Sequence, residues 1–196
     1  MNIFVLDKDP AKAAMMMCDK HIPKMIVESA QMLSTAHRML DGKVEKRPSK
    51  SGKTMVKHWI LDDQYMENIL YKAVHMHHPC TTWTMESAQN YRWHFYHFQA
   101  LGKEFGFRRN KKHATIELLT DALANLPINI KEGPLTEFAQ AMSHYPDCKV
   151  EGDPVKAYRN YYHAAKPFAE WKWGREAPTW WKGYTLSLIH ISEPTR

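Results

Sequence analysis

The sequence is poor in cysteine and has no long hydrophobic segment, and each shortage excludes a class of protein. Its three cysteines, Cys18, Cys80 and Cys148, are odd in number and widely spaced, which argues against a disulfide framework. No run of 18 apolar residues occurs, and the short acidic start MNIFVLDKD lacks the pattern of a secretory signal. We therefore predict a cytoplasmic protein with reduced thiols and no membrane partner.

The chain carries more positive than negative charge. It has 27 lysines and arginines against 21 aspartates and glutamates, which gives a formal net charge of +6 and a pI of about 9.1. Such a surplus favours a polyanionic partner, although it is also common in soluble proteins that have none. With 44% hydrophobic and 12% aromatic residues, a chain of 196 residues suits one globular domain better than two. We expect this domain to occupy residues 1–185.

The last eleven residues differ in origin from the rest of the chain. Residues 186–196 read LSLIHISEPTR, which matches the codon-by-codon translation of a transposon adapter used in sequencing libraries. We therefore predict a non-native, adapter-encoded tail at 186–196, with the natural C-terminus cut at or just after Tyr184, and exclude the tail from the interpretation of the fold.

Helical periodicity dominates the remaining sequence. Segment 41–57 is rich in lysine and arginine and contains two glycines and a proline, so it is predicted to be a mobile basic loop. The predicted fold class is all-α, a single compact domain of about five helices. The predicted helices cover residues 22–40, 62–75, 82–105 with Gly106 as the stop, 113–126, and a last helix that begins at Asp153-Pro154.

Aromatic rings and cations alternate through the C-terminal region, residues 158–184. Rings stack on bases and cations meet phosphates, so this pattern indicates a nucleic-acid surface. The alternative is that the helical half, residues 158–171, packs onto the core in the ordinary way. Trp180 and Trp181 follow Pro178 and so are expected to lie outside the helix.

A second candidate site lies on the first long helix. His21, Lys24 and Glu28 recur at steps of three and four, which places a titratable ring, a cation and a carboxylate on one face. Such a face could perform acid/base chemistry beside a sugar-phosphate. The alternative is a solvated helix surface with an ordinary Lys24–Glu28 salt link.

A third group of side chains has the chemistry of zinc ligands. Its spacing does not match the usual zinc motifs, and closely packed histidines on a loop are often free, so we predict no metal at this place. The group consists of His75, His77, His78 and Cys80, to which Cys18 and His21 could be added in space.

Taken in order, these landmarks resemble the phage endonuclease V family of pyrimidine-dimer DNA glycosylases. The run KHIPK at 20–24 is similar to that family's basic, acidic, apolar, proline, basic run. His78 precedes a long aromatic helix that ends in Gly106-Phe107, as in that family. The segment PTWWKGY at 178–184 is similar to the family's closing Pro-Thr-Trp-Tyr-Lys-Tyr-Tyr-Gly. The resemblance covers nearly all of residues 1–185, with extra residues at 41–57 and 126–152, and extends to related uncharacterised phage proteins.

The resemblance implies an all-α enzyme that bends duplex DNA, expels a nucleotide and attacks its sugar with the N-terminal amine. A Schiff base then permits strand cleavage. Here the amine belongs to Met1, because Asn2 is expected to prevent removal of the methionine. The position of the family's helix carboxylate is occupied by His21, and the nearest acid on the same face is Glu28. The predicted catalytic residues are therefore Met1, His21 and Glu28, acting without a cofactor.

The expected partner is duplex DNA that carries a lesion or a modified base, and the protein is expected to be a monomer in a host-cell cytoplasm. Two alternatives stay open: a transferase that modifies thymine or cytosine in phage DNA, and a nucleic-acid binder without catalysis. The predicted DNA-contacting residues are Lys20, Lys24, Arg92, Arg175 and Lys182 for phosphates, His78, and Trp180, Trp181 and Tyr184 for the opened base step.

Overall fold

A computed structural model describes residues 1–185, which form seven α-helices and one two-stranded antiparallel sheet. The adapter-like segment 186–196 lies outside the described residues. None of the helices in residues 1–185 is long and apolar enough to cross a membrane. In chain order the elements are α1 (Pro10–Met16), α2 (His21–Asp41), β1 (Lys43–Pro48), β2 (Met55–Ile60), α3 (Gln64–Ile69), α4 (Pro79–Glu86), α5 (Ala88–Arg109), α6 (Ala114–Leu123) and α7 (Pro154–Ala165), with a 3-10 turn at Pro146–Cys148.

The prediction of an all-α fold is wrong, because residues 43–60 form a β-hairpin. Strand β1 pairs antiparallel with β2, from Lys43 opposite Ile60 to Pro48 opposite Met55, and Gly52 in the connecting turn has a φ of +70°. All of β1 and half of β2 are exposed, so neither face of the hairpin is fully buried. The alternation that normally identifies a half-buried strand is therefore absent from the sequence, and a mobile basic loop was the wrong interpretation.

The long helix predicted at 82–105 is interrupted. Ser87 has extended backbone, with φ −150° and ψ 157°, and its hydroxyl accepts a hydrogen bond from the amide of Asn90 at 3.1 Å. This serine cap ends α4 and begins α5. The stop at Gly106 is also wrong, because α5 continues to Arg109 and ends where Asn110 adopts a left-handed conformation with φ +50°.

The other helix predictions differ in quality. Helix α2 is confirmed, and so is the start of α7, where the Asp153 carboxylate accepts from the amide of Lys156 at 2.9 Å. Helix α6 is confirmed but is shorter than predicted at both ends. The helix predicted at 62–75 is reduced to α3, because the backbone becomes extended at Leu70. Local capping signals thus located helix starts better than periodicity located their ends.

The core forms where α2 packs against α5 and the first residues of the chain. Ile3–Leu6 are buried although they belong to no regular element, and they contact the apolar faces of the surrounding helices. Burying a side chain of this size stabilises the fold by about 1.5–3 kcal/mol each. Burial also fixes the position of the N-terminus against α2. The largest fully buried side chains include Leu6, Met17, Ile22, Ile26, Leu33, Tyr91, Phe98, Leu101, Tyr158 and Tyr162.

Two buried arginines join the elements around this core. The side chain of Arg108, only 1% exposed, donates to Asp19 at 2.9 Å and Glu104 at 3.2 Å, and to the carbonyls of Met15 and Met17. It therefore fixes the turn that precedes α2. Arg38 joins the last turns of α2 to β2 and to the region of α3. It donates to the Glu67 carboxylate and to backbone carbonyls that include those of Trp59, Tyr71 and Leu70.

Candidate functional site

A cleft of about 460 Å³ opens where the N-terminus, the start of α2 and the end of α7 meet. It brings together five residues that the sequence predicted for the site, namely Met1, Lys20, His21, Lys24 and Glu28. Its volume lies within the range of ordinary ligand pockets. The remaining lining residues are Asn2, Phe4, Met25, Tyr161, Lys166 and Phe168.

Asn2 anchors the N-terminus beside the cleft. Its side-chain amide donates to the carbonyl of Ala141 at 2.8 Å, and its side-chain oxygen accepts from the hydroxyl of Tyr158 at 2.8 Å. Asn2 is 7% exposed, so these bonds are made in a site where an unpaired polar group would be costly. The sequence did not identify this residue as an anchor, because Ala141 and Tyr158 lie more than 130 positions away along the chain.

Glu28, on α2, contacts the N-terminus through its carboxylate. Its Oε2 lies 3.6 Å from the Met1 amine and accepts from the backbone amide of Asn2 at 3.0 Å. Its Oε1 lies 3.6 Å from the amine of Lys24, one helical turn away. The Glu28 side chain is 13% exposed, so solvent screens its interaction with Met1 only partly. The carboxylate predicted for acid/base work is therefore placed beside the predicted amine.

His21 faces the cleft as a neutral ring. It stacks on Phe4 with ring centroids 4.6 Å apart, and its Nδ1 lies 2.6 Å from the hydroxyl of Tyr162. Burial, and then the charges of Lys166, Lys24 and Lys20, lower the pKa of His21 to about 3. The ring is thus uncharged near neutral pH. It can give or accept a hydrogen bond, but an imidazolium is not available there as a general acid.

Lys166 is a cleft residue that sequence reasoning missed. Its amine lies 4.4 Å from the centre of the Tyr161 ring and 5.3 Å from that of Phe4. Burial, followed by the charge of Lys24, lowers the pKa of Lys166 below its ordinary value. The sequence carried a weak signal, since Lys166 belongs to the aromatic and cationic segment 158–184. Only the fold shows that it turns toward α2.

The lining of the cleft is strongly cationic. The Met1 amine and three lysines face it, against one carboxylate, that of Glu28. Such an excess of one sign within a concave surface concentrates anions. The rings of Tyr161 and Phe168 add an aromatic wall to which a planar group could bind. The arrangement suits an anionic ligand that also carries a ring.

His78 lies at the edge of this electrostatic environment. It caps α4, where its Nδ1 accepts from the amide of Cys80 at 3.2 Å. Burial and the charge of the Met1 amine lower its pKa, while the charge of Glu28 acts in the opposite direction. The charges of Met1 and Glu28 therefore both affect the pKa of His78, although His78 does not line the cleft.

Trp180 and Trp181, the tryptophan pair, pack against α7 outside the cleft. Trp180 contacts the edge of Tyr162 at a centroid distance of 5.8 Å, and Trp181 stacks on His163 at 4.9 Å. Tyr162 contacts His21 as well as Trp180, so this ring connects the pair to the cleft. Neither tryptophan lines the cleft. Lys182 and Tyr184, also predicted DNA contacts, are exposed beside them.

The two predicted arginines lie outside the cleft. Arg175 donates to both oxygens of Glu104, at 2.6 and 3.0 Å, and this pairing raises the pKa of its guanidinium. Glu104 also pairs with Arg108, so Arg175 closes a structural ion network. Arg92 is half-buried on α5. The structure therefore does not bring these two arginines together with the Met1–Glu28 pair.

The alternative of a zinc site does not fit the described residues. Within residues 1–185, no three His, Cys, Asp or Glu side chains converge in a way that would hold a metal ion. Cys80 is 1% exposed, and its thiol donates to the side-chain oxygen of Asn2 at 3.4 Å. Burial raises the pKa of this thiol to about 11, which opposes formation of the thiolate that zinc requires.

Comparisons with protein-family models, with curated proteins and with solved structures gave no significant match. The resemblance to the phage glycosylases therefore stays a prediction.

Proposed function

We propose that this protein is a DNA base-excision enzyme, a glycosylase with lyase activity on damaged or modified pyrimidines in duplex DNA. The observation that supports this most strongly is the Met1 amine, which lies 3.6 Å from Glu28 inside a cationic cleft. An amine beside a carboxylate is the pair that Schiff-base chemistry requires, since one forms the covalent bond and the other moves protons.

The proposed reaction uses these two groups in turn. Glu28 accepts a proton from the Met1 ammonium, and the neutral amine attacks C1′ of an expelled nucleotide. The C1′–N bond breaks, and the base leaves with its electron pair and is protonated from water, while the amine bound to C1′ loses a proton to the solvent. Glu28 then returns its proton to O4′ as the C1′–O4′ bond breaks, which opens the sugar and gives a protonated imine on Met1. The Glu28 carboxylate, ionised again, takes a proton from C2′, and the C3′–O bond breaks by elimination as the 3′ phosphate leaves with the bonding electrons. Water finally hydrolyses the imine and restores the amine.

The other cleft residues fit the charge and shape of such a substrate. Lys20, Lys24 and Lys166 would hold the phosphates on either side of the expelled nucleotide. The neutral His21 ring would bond to the sugar, while Tyr161 and Phe168 would contact the base. We place Trp180 and Trp181, with Lys182 and Tyr184 beside them, against the duplex that flanks the opened step.

Borohydride trapping tests the proposal directly. A duplex that contains an abasic site, and an ultraviolet-irradiated duplex, are incubated with the protein in the presence of borohydride, which reduces an imine to a stable bond. The expected result is a covalent adduct that peptide mapping assigns to Met1. Intact-mass analysis of the same sample establishes that the chain used begins with a free Met1 amine.

A matched control separates the N-terminal amine from the lysine amines. A variant with Gly-Ser added before Met1 moves the amine away from Glu28 and should not be trapped. Lys166→Arg removes the other buried amine and should still be trapped. An adduct on Lys166, or the absence of any adduct and any strand cleavage, would contradict the proposed chemistry. Duplex binding without either product would favour the alternative of a non-catalytic binder.

A further inference from the structure

The β1–β2 hairpin is a second basic surface, at the opposite end of α2 from the cleft. It begins one residue after the end of α2, with Gly42 between them. Lys24 and Glu28 belong to the first turns of that helix, and Lys20 is the residue before it. Both faces of the hairpin are largely exposed near its turn. The hairpin is attached at its base, where Arg38 donates to the carbonyl of Trp59 at 2.9 Å.

The two faces of the hairpin differ in how their charges are paired. Side chains alternate along a strand, so Lys43, Glu45 and Arg47 share one face. On that face Arg47 pairs with Glu45 at 2.9 Å, and Lys43 pairs with Asp62 at 2.7 Å. The cations of this face are therefore already neutralised by carboxylates of the same molecule.

On the other face, two lysines lie directly opposite each other. Lys46 pairs across the strands with Lys57, and no ion pair within 4.0 Å joins either amine to a carboxylate of residues 1–185. Like charges at directly opposed positions destabilise a hairpin. Val44, 56% exposed, and Met55, 60% exposed, lie on the same face. This face is therefore unfavourable in isolation, both in its charge and in its exposed apolar area.

We infer that the Val44, Lys46, Met55 and Lys57 face of the hairpin binds the groove of duplex DNA. A two-stranded ribbon fits the major groove, which is about 12 Å wide. Phosphates on the groove edges would remove the repulsion between Lys46 and Lys57. The apolar side chains between them would contact thymine methyl groups or sugars. The inference rests on the proposed function only in taking duplex DNA as the partner.

The length of α2 sets the spacing between the two sites. From Glu28 to the end of α2 the helix rises about 20 Å at 1.5 Å per residue. That distance corresponds to about six base pairs at 3.4 Å each. A duplex that places a lesion in the cleft would thus meet the hairpin only if its flank on one side extends about six base pairs or more.

The test compares two variants of the hairpin that differ in face. The first is the double substitution Lys46→Gln with Lys57→Gln, and the matched control is Lys43→Gln, on the paired face. Affinity for an undamaged duplex of about 20 base pairs is measured by fluorescence anisotropy over a range of salt. The double variant should bind about ten- to hundredfold more weakly, and its slope of log affinity against log salt should fall by about 1.8. The control should bind like the unmodified protein.

Equal affinity of the double variant and the unmodified protein would overturn the inference, and so would an equal loss in Lys43→Gln. Retained binding to duplex together with lost binding to phosphatidylserine vesicles would assign the face to a membrane surface instead. Thermal melting of each variant confirms that the fold is intact. Borohydride trapping on a short abasic oligonucleotide, too short to reach the hairpin, tests the proposed function separately, because that signal should not change in the double variant.

Discussion

The amine of Met1 lies 3.6 Å from Oε2 of Glu28, although Met1 belongs to no regular element and Glu28 lies in α2. The buried N-terminal segment brings the first group to this point, and the first turns of α2 bring the second. Both are held by further contacts, since the Asn2 amide donates to the same carboxylate oxygen at 3.0 Å. The pair is therefore preorganised by the fold rather than assembled by the ligand.

Glu28→Gln should abolish most strand cleavage while leaving the fold intact. The amide oxygen of glutamine can still accept from the backbone of Asn2, but it cannot take a proton from the Met1 ammonium. We expect the rate of cleavage at an abasic site to fall about 10²- to 10⁴-fold, the usual contribution of a positioned acid or base. Gel-based single-turnover assays measure this rate.

Lys24→Gln is the matched control for Glu28→Gln, because Lys24 also contacts Glu28 but its side chain is 66% exposed. It should weaken DNA binding without a comparable loss of the chemical step. Cleavage by Glu28→Gln at the rate of the unmodified protein would remove Glu28 from the mechanism.

The polar face of α2 could be predicted from the sequence because its information is local. His21, Lys24 and Glu28 follow the helical period, and α2 is long enough for the period to be evident. The capped start of α7 was predictable for the same reason, since Asp153 and Pro154 are adjacent in the chain. Short-range patterns therefore gave the groups on one wall of the cleft.

The opposite wall could not be predicted, because it depends on contacts between distant parts of the chain. Asn2 and Lys166 reach the cleft through packing of the N-terminal segment and α7, for which no periodicity exists. The hairpin was not predicted for a different reason: its exposed strands lack a buried face, and so lack the apolar/polar alternation that identifies a strand. Segment 158–184 was predicted to form a nucleic-acid surface, with core packing of residues 158–171 as the alternative. In the structure Tyr161 lines the cleft, whereas Trp180 packs against Tyr162 outside it.

The protein should lose stability as the pH falls below about 6.5. Burial lowers the pKa of His21 to about 3 and those of His37 and His97 to about 4. Since the unfolded chain binds protons at an ordinary pKa of about 6.5, these histidines favour folding fully above that pH. Between pH 6.5 and about 4, each of these histidines can lower the free energy of unfolding by up to about 1.4 kcal/mol per pH unit. Chemical denaturation at a series of pH values measures the slope.

His37→Gln should reduce the slope of the unfolding free energy against pH by up to about 1.4 kcal/mol per pH unit, the contribution of one proton. The glutamine amide can replace the ring as hydrogen-bond donor to the hydroxyl of Tyr91, which itself donates to the carbonyl of Leu123. The variant therefore removes a titrating group while keeping a partner for Tyr91. A slope identical to that of the unmodified protein would show that His37 does not titrate in this range.

Arg108→Met should destabilise the fold by about 3–5 kcal/mol, because it leaves the Asp19 carboxylate without its cation and removes one of the two cations that pair with Glu104. Arg108 is 1% exposed at its side chain and pairs with both Asp19 and Glu104. Arg175→Met is the control, since it removes a second partner of Glu104 from a more exposed position, with 29% of its side chain accessible. Urea denaturation should show a much smaller loss for Arg175→Met. Equal losses would mean that Arg108 has no special role in joining α5 to the start of α2.

Lys166→Met should weaken DNA binding more than it weakens the fold. The amine is held above Tyr161 and Phe4 and faces the cleft, where it is one of four cations available to a phosphate. Loss of one charge-assisted phosphate contact should reduce affinity about tenfold or more and lower the salt slope by about 0.9. Lys166→Arg keeps the charge and should keep most of the affinity. If Lys166→Met binds an abasic duplex with unchanged affinity and salt dependence, the phosphates do not enter the cleft on the side of α7.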